Sequence, residues 1–217
     1  MGEVKGDRKP RKGDPVAAKP RGRPKTLDKQ RLTELAMVHL WEKGPASVSL
    51  NQICEIARVS KPGVYREFGD ADGLVRAALT LYDDKVLTPL RGLFQSQLPA
   101  PQTLDNVVAF TTNVDSRFPK GCLYVKAKQS QLDLKDGART LLETIRKRNL
   151  AVYEAWAAET RVHPSLTPPL AAQYIDAQLE IALALIGRGT PPADVATMLR
   201  RALSALVSPA ENRSQSV

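Results

Sequence analysis

Apolar residues recur at three- and four-residue spacing along most of the chain from Thr26 onward, the mark of amphipathic helices. In "TLDKQRLTELAMVHLWEKG", Leu32, Leu35, Ala36 and Leu40 share one face. Thr26 or Asp28 can cap this helix, and Gly44 followed by Pro45 stops it. The next stretch, "SVSLNQICEIARVSKPGVYREFGDADGLVRAAL", carries two short elements. Ser49 and Gln52 have capping-box spacing, and Leu50, Ile53 and Ala57 form an apolar face. Arg58, Val59 and Ser60 then read as a tight turn pinned by a buried Val59. Ser60 caps a second helix with Pro62 in its first turn, where proline is tolerated, and Val64, Tyr65 and Phe68 supply its packing. Two short helices joined by a tight turn make a helix-turn-helix, whose second helix enters the DNA major groove by its N-terminal residues.

The remaining pattern predicts more helix. One runs from about Asp72 to Leu87, with Leu74, Ala77, Ala78 and Leu81 on a face. Pro89 opens a short one with Leu90, Leu93 and Phe94, and Thr103 is expected to cap another with Leu104, Val107 and Val108. "CLYVKAKQSQ" follows Pro119-Lys120-Gly121. "DGARTLLETIRKRNLAVYEAWAAE" is long, and Arg146, Lys147 and Arg148 are expected on its solvated side. "LAAQYIDAQLEIALALIG" is apolar nearly all round, so it is buried or lies at an interface. The last helix places Val195, Met198, Leu199, Ala202 and Leu206 at helical spacing. The expected fold is all-α, in four parts: a disordered basic arm over 1–25, a helix-turn-helix domain over 26–72, a helical regulatory and dimerisation body over 73–208, and a flexible tail over 209–217.

Composition sharpens this picture. Aromatics make up only 5% of the 217 residues and apolar residues 42%, so the core is mostly aliphatic, which favours helices over a sandwich. No apolar run approaches the roughly 18 residues of a membrane span, and no apolar segment follows the basic start as in a secretory signal. A soluble, cytoplasmic protein is the expectation. The net charge of +9 is concentrated at the start. Residues 1–25 hold nine basic and three acidic residues, and the rest of the chain holds 23 and 20. Such an arm points to a polyanion, most often nucleic acid, or else to a tail that merely keeps the protein soluble.

Residues 27–80 resemble the DNA-binding domain of the TetR (tetracycline-repressor-type) family, most of all in the run Ser60, Lys61, Val64, Tyr65 and Phe68 before a helix bearing Leu74. The resemblance implies an all-helical homodimer with a three-helix head and a variable ligand-binding body. It also implies that Ser60, Lys61, Pro62 and Gly63 open the recognition helix toward the groove, that Tyr65 and Arg66 reach phosphates or base edges, and that Ser49 and Gln52 can touch the DNA backbone. Lysine or arginine suits guanine acceptors, and a hydroxyl or a helix N-terminus suits a phosphate. The chain departs from the family in three places. Arg58 replaces the usual turn glycine, Gly63 stands where a serine or threonine is common, and Asp70-Ala71-Asp72 replaces a frequent lysine. An arginine held at positive φ costs on the order of 1 kcal/mol. Pro20-Arg21-Gly22-Arg23-Pro24 resembles the core of an AT-hook, which implies that Arg21 and Arg23 lie in a narrow A·T minor groove.

These readings imply a double-stranded operator, an unidentified small-molecule effector and a homodimer paired through the last two long helices, with no cofactor, metal or membrane partner. A ligand-responsive repressor on a palindromic operator is the expected function. The competing reading is an architectural binder of A·T-rich DNA with no effector. No nucleophile, acid–base set or phosphate-binding loop supports an enzyme. Phe94, Phe110, Tyr124, Tyr153 and Trp156 are candidate walls of the effector pocket, with plain core packing as the alternative. Cys54 falls on an apolar face. Cys122 is either core or, at a helix N-terminus that lowers thiol pKa, a redox sensor. His39 and His163 have no metal-ligand spacing.

Overall fold

The computed structural model describes residues 27–113, 115, 118–160 and 162–207. The arm with Arg21 and Arg23, and the tail over 209–217, lie outside them. The described residues are helical, with one isolated bridge between Val162 and Val207. The head comprises α1 (Lys29–Lys43), α2 (Leu50–Ala57) and α3 (Lys61–Phe68). α4 (Ala71–Tyr82) leads through a π turn (Asp83–Leu87) into α5 (Thr88–Phe94). The body continues with α6 (Ala100–Thr112), α7 (Leu123–Gln129), α8 (Asp136–Glu159), α9 (Pro168–Gly187) and α10 (Pro192–Ser204).

Asp28 is the cap of α1, its carboxylate accepting from the Arg31 N–H at 2.9 Å, and Gly44 closes the helix at φ 83°. Two expected boundaries moved. Thr103 is not a cap: α6 begins at Ala100 behind Pro99, and the buried Thr103 hydroxyl donates back to the Leu98 carbonyl. The two helices expected around Leu87 and Pro89 are one continuous rod, in which a π turn carries α4 into α5 and the Thr88 N–H donates to the Asp83 carbonyl five residues back, just before Pro89. That turn contains Asp83, only 2% exposed. Arg91 donates to Asp83 at 2.7 Å, to Asn149 at 2.8 Å and to Thr88 at 2.7 Å, and Arg148 donates to the other Asp83 oxygen at 3.0 Å. Arg148 is therefore ion-paired, as is Arg146, whose Nε lies 3.8 Å from Asp176; the basic cluster on α8 is not simply solvated.

The buried apolar residues fall into two cores. The first joins Leu40, Ile53 and Val64 of the head to Leu74 and Tyr82 of α4, Leu123 of α7 and Ile145 of α8. The second gathers Phe94, Val107, Tyr153, Ile175, Leu199 and Leu206 from α5, α6, α8, α9, α10 and the turn after it. The head thus shares its apolar interior with the body. α9 has 20 residues and a mean hydropathy of 1.2, long and apolar enough by composition to span a bilayer. In the fold it packs on α8 and α10, burying Ile175, Leu179, Ala182 and Ile186, and Tyr174 donates to the Ala202 carbonyl of α10 at 3.1 Å. Ile181 and Leu170 on α9 remain about half exposed, as does Met198 on α10.

Candidate nucleic-acid interface

The interface is built from helix ends. At α2, the Ser49 Oγ accepts from the Gln52 N–H at 3.3 Å and the Gln52 Oε1 accepts from the Ser49 N–H at 2.7 Å, completing the capping box. Both side chains are exposed. Arg58 ends α2 at φ 54°, ψ 45°, the single non-glycine residue at positive φ among those described. Its N–H donates to the Glu55 carbonyl and that of Val59 donates to Cys54, so the left-handed residue closes α2 as a glycine ordinarily would. Val59 is only half-buried, a looser pin than its spacing suggested.

α3 then starts from Ser60, whose Oγ accepts from the Gly63 N–H at 3.3 Å, with Pro62 in the first turn. Val64 is fully buried against the head core, which fixes the rotation of the helix. Ser60, Lys61, Pro62, Tyr65 and Arg66 are consequently exposed together on the other side. Tyr65 is 45% exposed, so it is no core aromatic. Gly63 differs in being buried: a Cβ there would meet the Ser60 Oγ at 3.3 Å and Leu27 Cδ1 at 3.4 Å, so the position has little room for a larger residue. Gly69 ends α3 at φ 83°.

Beside this face a cleft of about 540 Å³ is lined by Arg31, Arg58 and Arg66, by Asp28 and Ser60, and by apolar side chains such as Leu32 and Leu35. Three guanidiniums and one carboxylate thus share an otherwise largely apolar cleft. The sequence reading missed Arg31; its place three residues after the Asp28 cap, on the outer side of an N-terminal turn, was the available signal. Asp70 and Asp72, which would repel phosphate, are occupied elsewhere. Asp70 caps α4 by accepting from the Gly73 N–H at 2.7 Å, and Asp72 accepts from the Ala138 N–H at the start of α8 and from Arg76, both at 3.1 Å.

The five aromatic effector candidates do not form one wall. Phe94, Tyr153 and Trp156 do meet, with centroids 4.7 and 5.5 Å from Phe94, as packed residues of the second core. Phe110 is 37% exposed on α6. Tyr124 belongs to the first core, where burial first and the Asp176 charge next raise its phenol pKa, and its hydroxyl has no partner among the described residues. Cys122 sits 2% exposed, and burial raises its thiol although the Tyr82 hydroxyl donates to the sulfur at 3.1 Å. That is the opposite of an activated thiolate. Cys54 is buried on the apolar face as its spacing implied.

The geometry defines a helix-turn-helix DNA-binding head on a helical body. Residues 32–78 match the family of bacterial regulatory proteins of the tetR type. Over 110 residues the chain is 30% identical to the HTH-type transcriptional repressor ComR of Escherichia coli K12, covering 49% of this chain and 52% of ComR. Over 158 residues it is 30% identical to the transcriptional regulator AcuR of Cereibacter sphaeroides, covering 70% of this chain and 66% of AcuR. The matches thus span about half of the first relative and about two thirds of the second. The fold is similar to that of the TetR-family regulator CifR, in a cysteine mutant complexed with 26-bp operator DNA, with TM-score 0.73 and 21% identity over 85% of this chain and all of that one. Residues 32–78 are therefore a TetR-family DNA-binding domain, set in a chain with the TetR-regulator fold.

Proposed function

We propose that the protein is a transcriptional repressor that binds a palindromic operator as a homodimer and is released from it by a small molecule. One observation carries this reading: full burial of Val64 turns Ser60, Lys61, Pro62, Tyr65 and Arg66 outward as one polar face at the N-terminus of α3. Such a face suits base edges and phosphates. The names of ComR and AcuR and the operator bound to CifR support it. The half-exposed Leu170, Ile181 and Met198 support pairing through α9 and α10, because apolar area there gains by being covered. Each head then reads one half-site, and a ligand that changes head spacing lowers affinity by a coupling that is reciprocal with DNA.

The arm adds the second part of the proposal. Arg21-Gly22-Arg23, between prolines, lies along the A·T minor groove beside each half-site and acts in the cytoplasm on the same DNA. The test is selection of bound sequences from random DNA by the full chain and by a chain lacking residues 1–25. A palindrome in both pools, with flanking A·T preference only in the first, is the expected result. Enrichment of A·T-rich DNA without a palindrome would overturn it in favour of an architectural binder. Removing the arm should also flatten the salt dependence of binding, since phosphate and groove contacts release counterions.

A further inference from the structure

Arg58 stands where the backbone asks for glycine. The bonds that close α2, from the N–H groups of Arg58 and Val59 to carbonyls of that helix, are backbone bonds that glycine makes equally well. At φ 54° a residue with a side chain loses free energy that glycine does not. Arg58 is exposed, and its guanidinium has no hydrogen-bond or ion-pair partner among the described residues, so no contact within the fold offsets the strain. Strain of this kind persists where a side chain serves a function. A second observation concerns its neighbours. Arg58 lines the cleft between the first turn of α1 and α3 together with Arg31 and Arg66. Asp28, the carboxylate in that lining, already caps α1, and Glu67 takes Arg66 at 3.3 Å. Arg31 is exposed and, like Arg58, its guanidinium has no partner among the described residues. Two unengaged guanidiniums therefore stand beside the first turn of α3, whose Ser60 and Gly63 share the lining. Most of the remaining lining is apolar, Leu27 and Val59 included, which suits a deoxyribose face next to a phosphate. The chain after the other end of α3 presents Asp70 and Asp72.

We infer that Arg58 and Arg31 grip the sugar–phosphate backbone of the operator at the flank of the half-site that α3 reads. The inference rests on the DNA-binding reading above and adds to it a contact that is independent of base sequence. A guanidinium suits this task because its planar fork meets a phosphate through two parallel hydrogen bonds. The two residues come from different elements, the turn after α2 and the first turn of α1. A phosphate held by both fixes how deep and at what angle the N-terminus of α3 enters the groove, while the bases are read by α3 itself.

The test uses the full chain and the operator it selects from random DNA, with affinity measured across a range of salt concentrations. Arg58→Gly keeps the closure of α2 and removes the guanidinium, and Arg31→Gln keeps a good helix former in α1. Each should weaken binding about fivefold and lower the salt slope by about 1, with the selected bases unchanged. Arg58→Lys keeps the charge and should restore the slope. Lys147→Gln, exposed on α8 in the body, controls for lost net charge and should leave the slope as it is in the parent. Thermal midpoints check that every variant folds. Ethylation interference reads the contact directly: at least one backbone position flanking each half-site should block the parent when ethylated and no longer block Arg58→Gly. An unchanged salt slope in either arginine variant, a loss matched by Lys147→Gln, or altered base selection would each overturn the inference while leaving the DNA-binding reading intact. A parent that selects no DNA sequence would sink that reading, and this contact with it.

Discussion

Replacing Arg91 by Met should be the most damaging single change outside the aliphatic core. Arg91 is 8% exposed and serves Asp83, Asn149 and Thr88 at once, all within 2.8 Å. The Met side chain fills similar volume, so the loss is mainly electrostatic. Asp83, 2% exposed, would keep only Arg148, whose side chain is 56% exposed and is well screened by water. Removing one partner of a buried pair costs about 3–5 kcal/mol because the other charge is stranded. That is a large share of the roughly 5–15 kcal/mol that holds a domain folded. Asp83→Asn in the same chain removes the stranded charge, and the double variant should recover about half of the loss. Urea unfolding at one fixed protein concentration measures both, so that any self-association enters every variant equally. A cost below about 1 kcal/mol for Arg91→Met, or strict additivity in the double variant, would refute the reasoning and leave Arg148 as the true partner of Asp83.

Tyr65→Phe removes a half-exposed hydroxyl from α3, so operator affinity should fall by about 1 kcal/mol with an unchanged circular dichroism spectrum; unchanged affinity would remove Tyr65 from the interface. Arg58→Gly should stabilise the head by up to about 1 kcal/mol, because glycine adopts φ 54° without strain, while operator binding weakens if the guanidinium meets a phosphate; a lower thermal midpoint would contradict the strain argument. Burial, and then the Glu180 charge, raise Asp176 to about 6, against the pull of Lys128 and Arg146. Its folded pKa lies above its unfolded one, so the folded state binds the extra proton, and this group's contribution improves as pH falls from above 6 toward 4. Asp176→Asn should therefore gain roughly 2 kcal/mol over the parent at pH 8 and nothing near pH 4, read as the difference between their urea midpoints across pH.

Much of the head was legible because its signals are local. A capping box, a serine cap and a proline in a first turn concern residues within four positions of each other, and all appear where the spacing placed them. Arg58 at positive φ was legible only through the resemblance, as the residue standing where the family usually has its turn glycine. The misses concern contacts between distant parts. Thr103 looked like a cap because Ser and Thr often are, but Pro99 already starts α6 four residues before it. The aromatic residues of the body could be named but not grouped, because Tyr124 and the Phe94, Tyr153 and Trp156 cluster fall in different cores, and α8 runs through both.

The same distant contacts explain how a body can govern a head that reads DNA. α1 ends with carbonyls that lack helical partners, and Lys126 of α7 donates to two of them, those of Trp41 at 2.6 Å and Glu42 at 2.9 Å. A cation there also opposes the negative end of the helix dipole. Asp72, at the first turn of α4, holds the start of α8 through the Ala138 N–H. Trp41 packs edge-on against Tyr82 at 4.9 Å, and Tyr82 donates to Cys122. The head is thus fastened to the body at the C-terminal end of α1 and at the N-terminal end of α4, so neither helix can tilt alone. Lys126→Met cuts the first fastening without touching α3. If this fastening sets the pose of α1, Lys126→Met should lower operator affinity by roughly 1 kcal/mol while the circular dichroism spectrum stays unchanged. Unchanged affinity would place the control of head pose in α4 and its contact with α8.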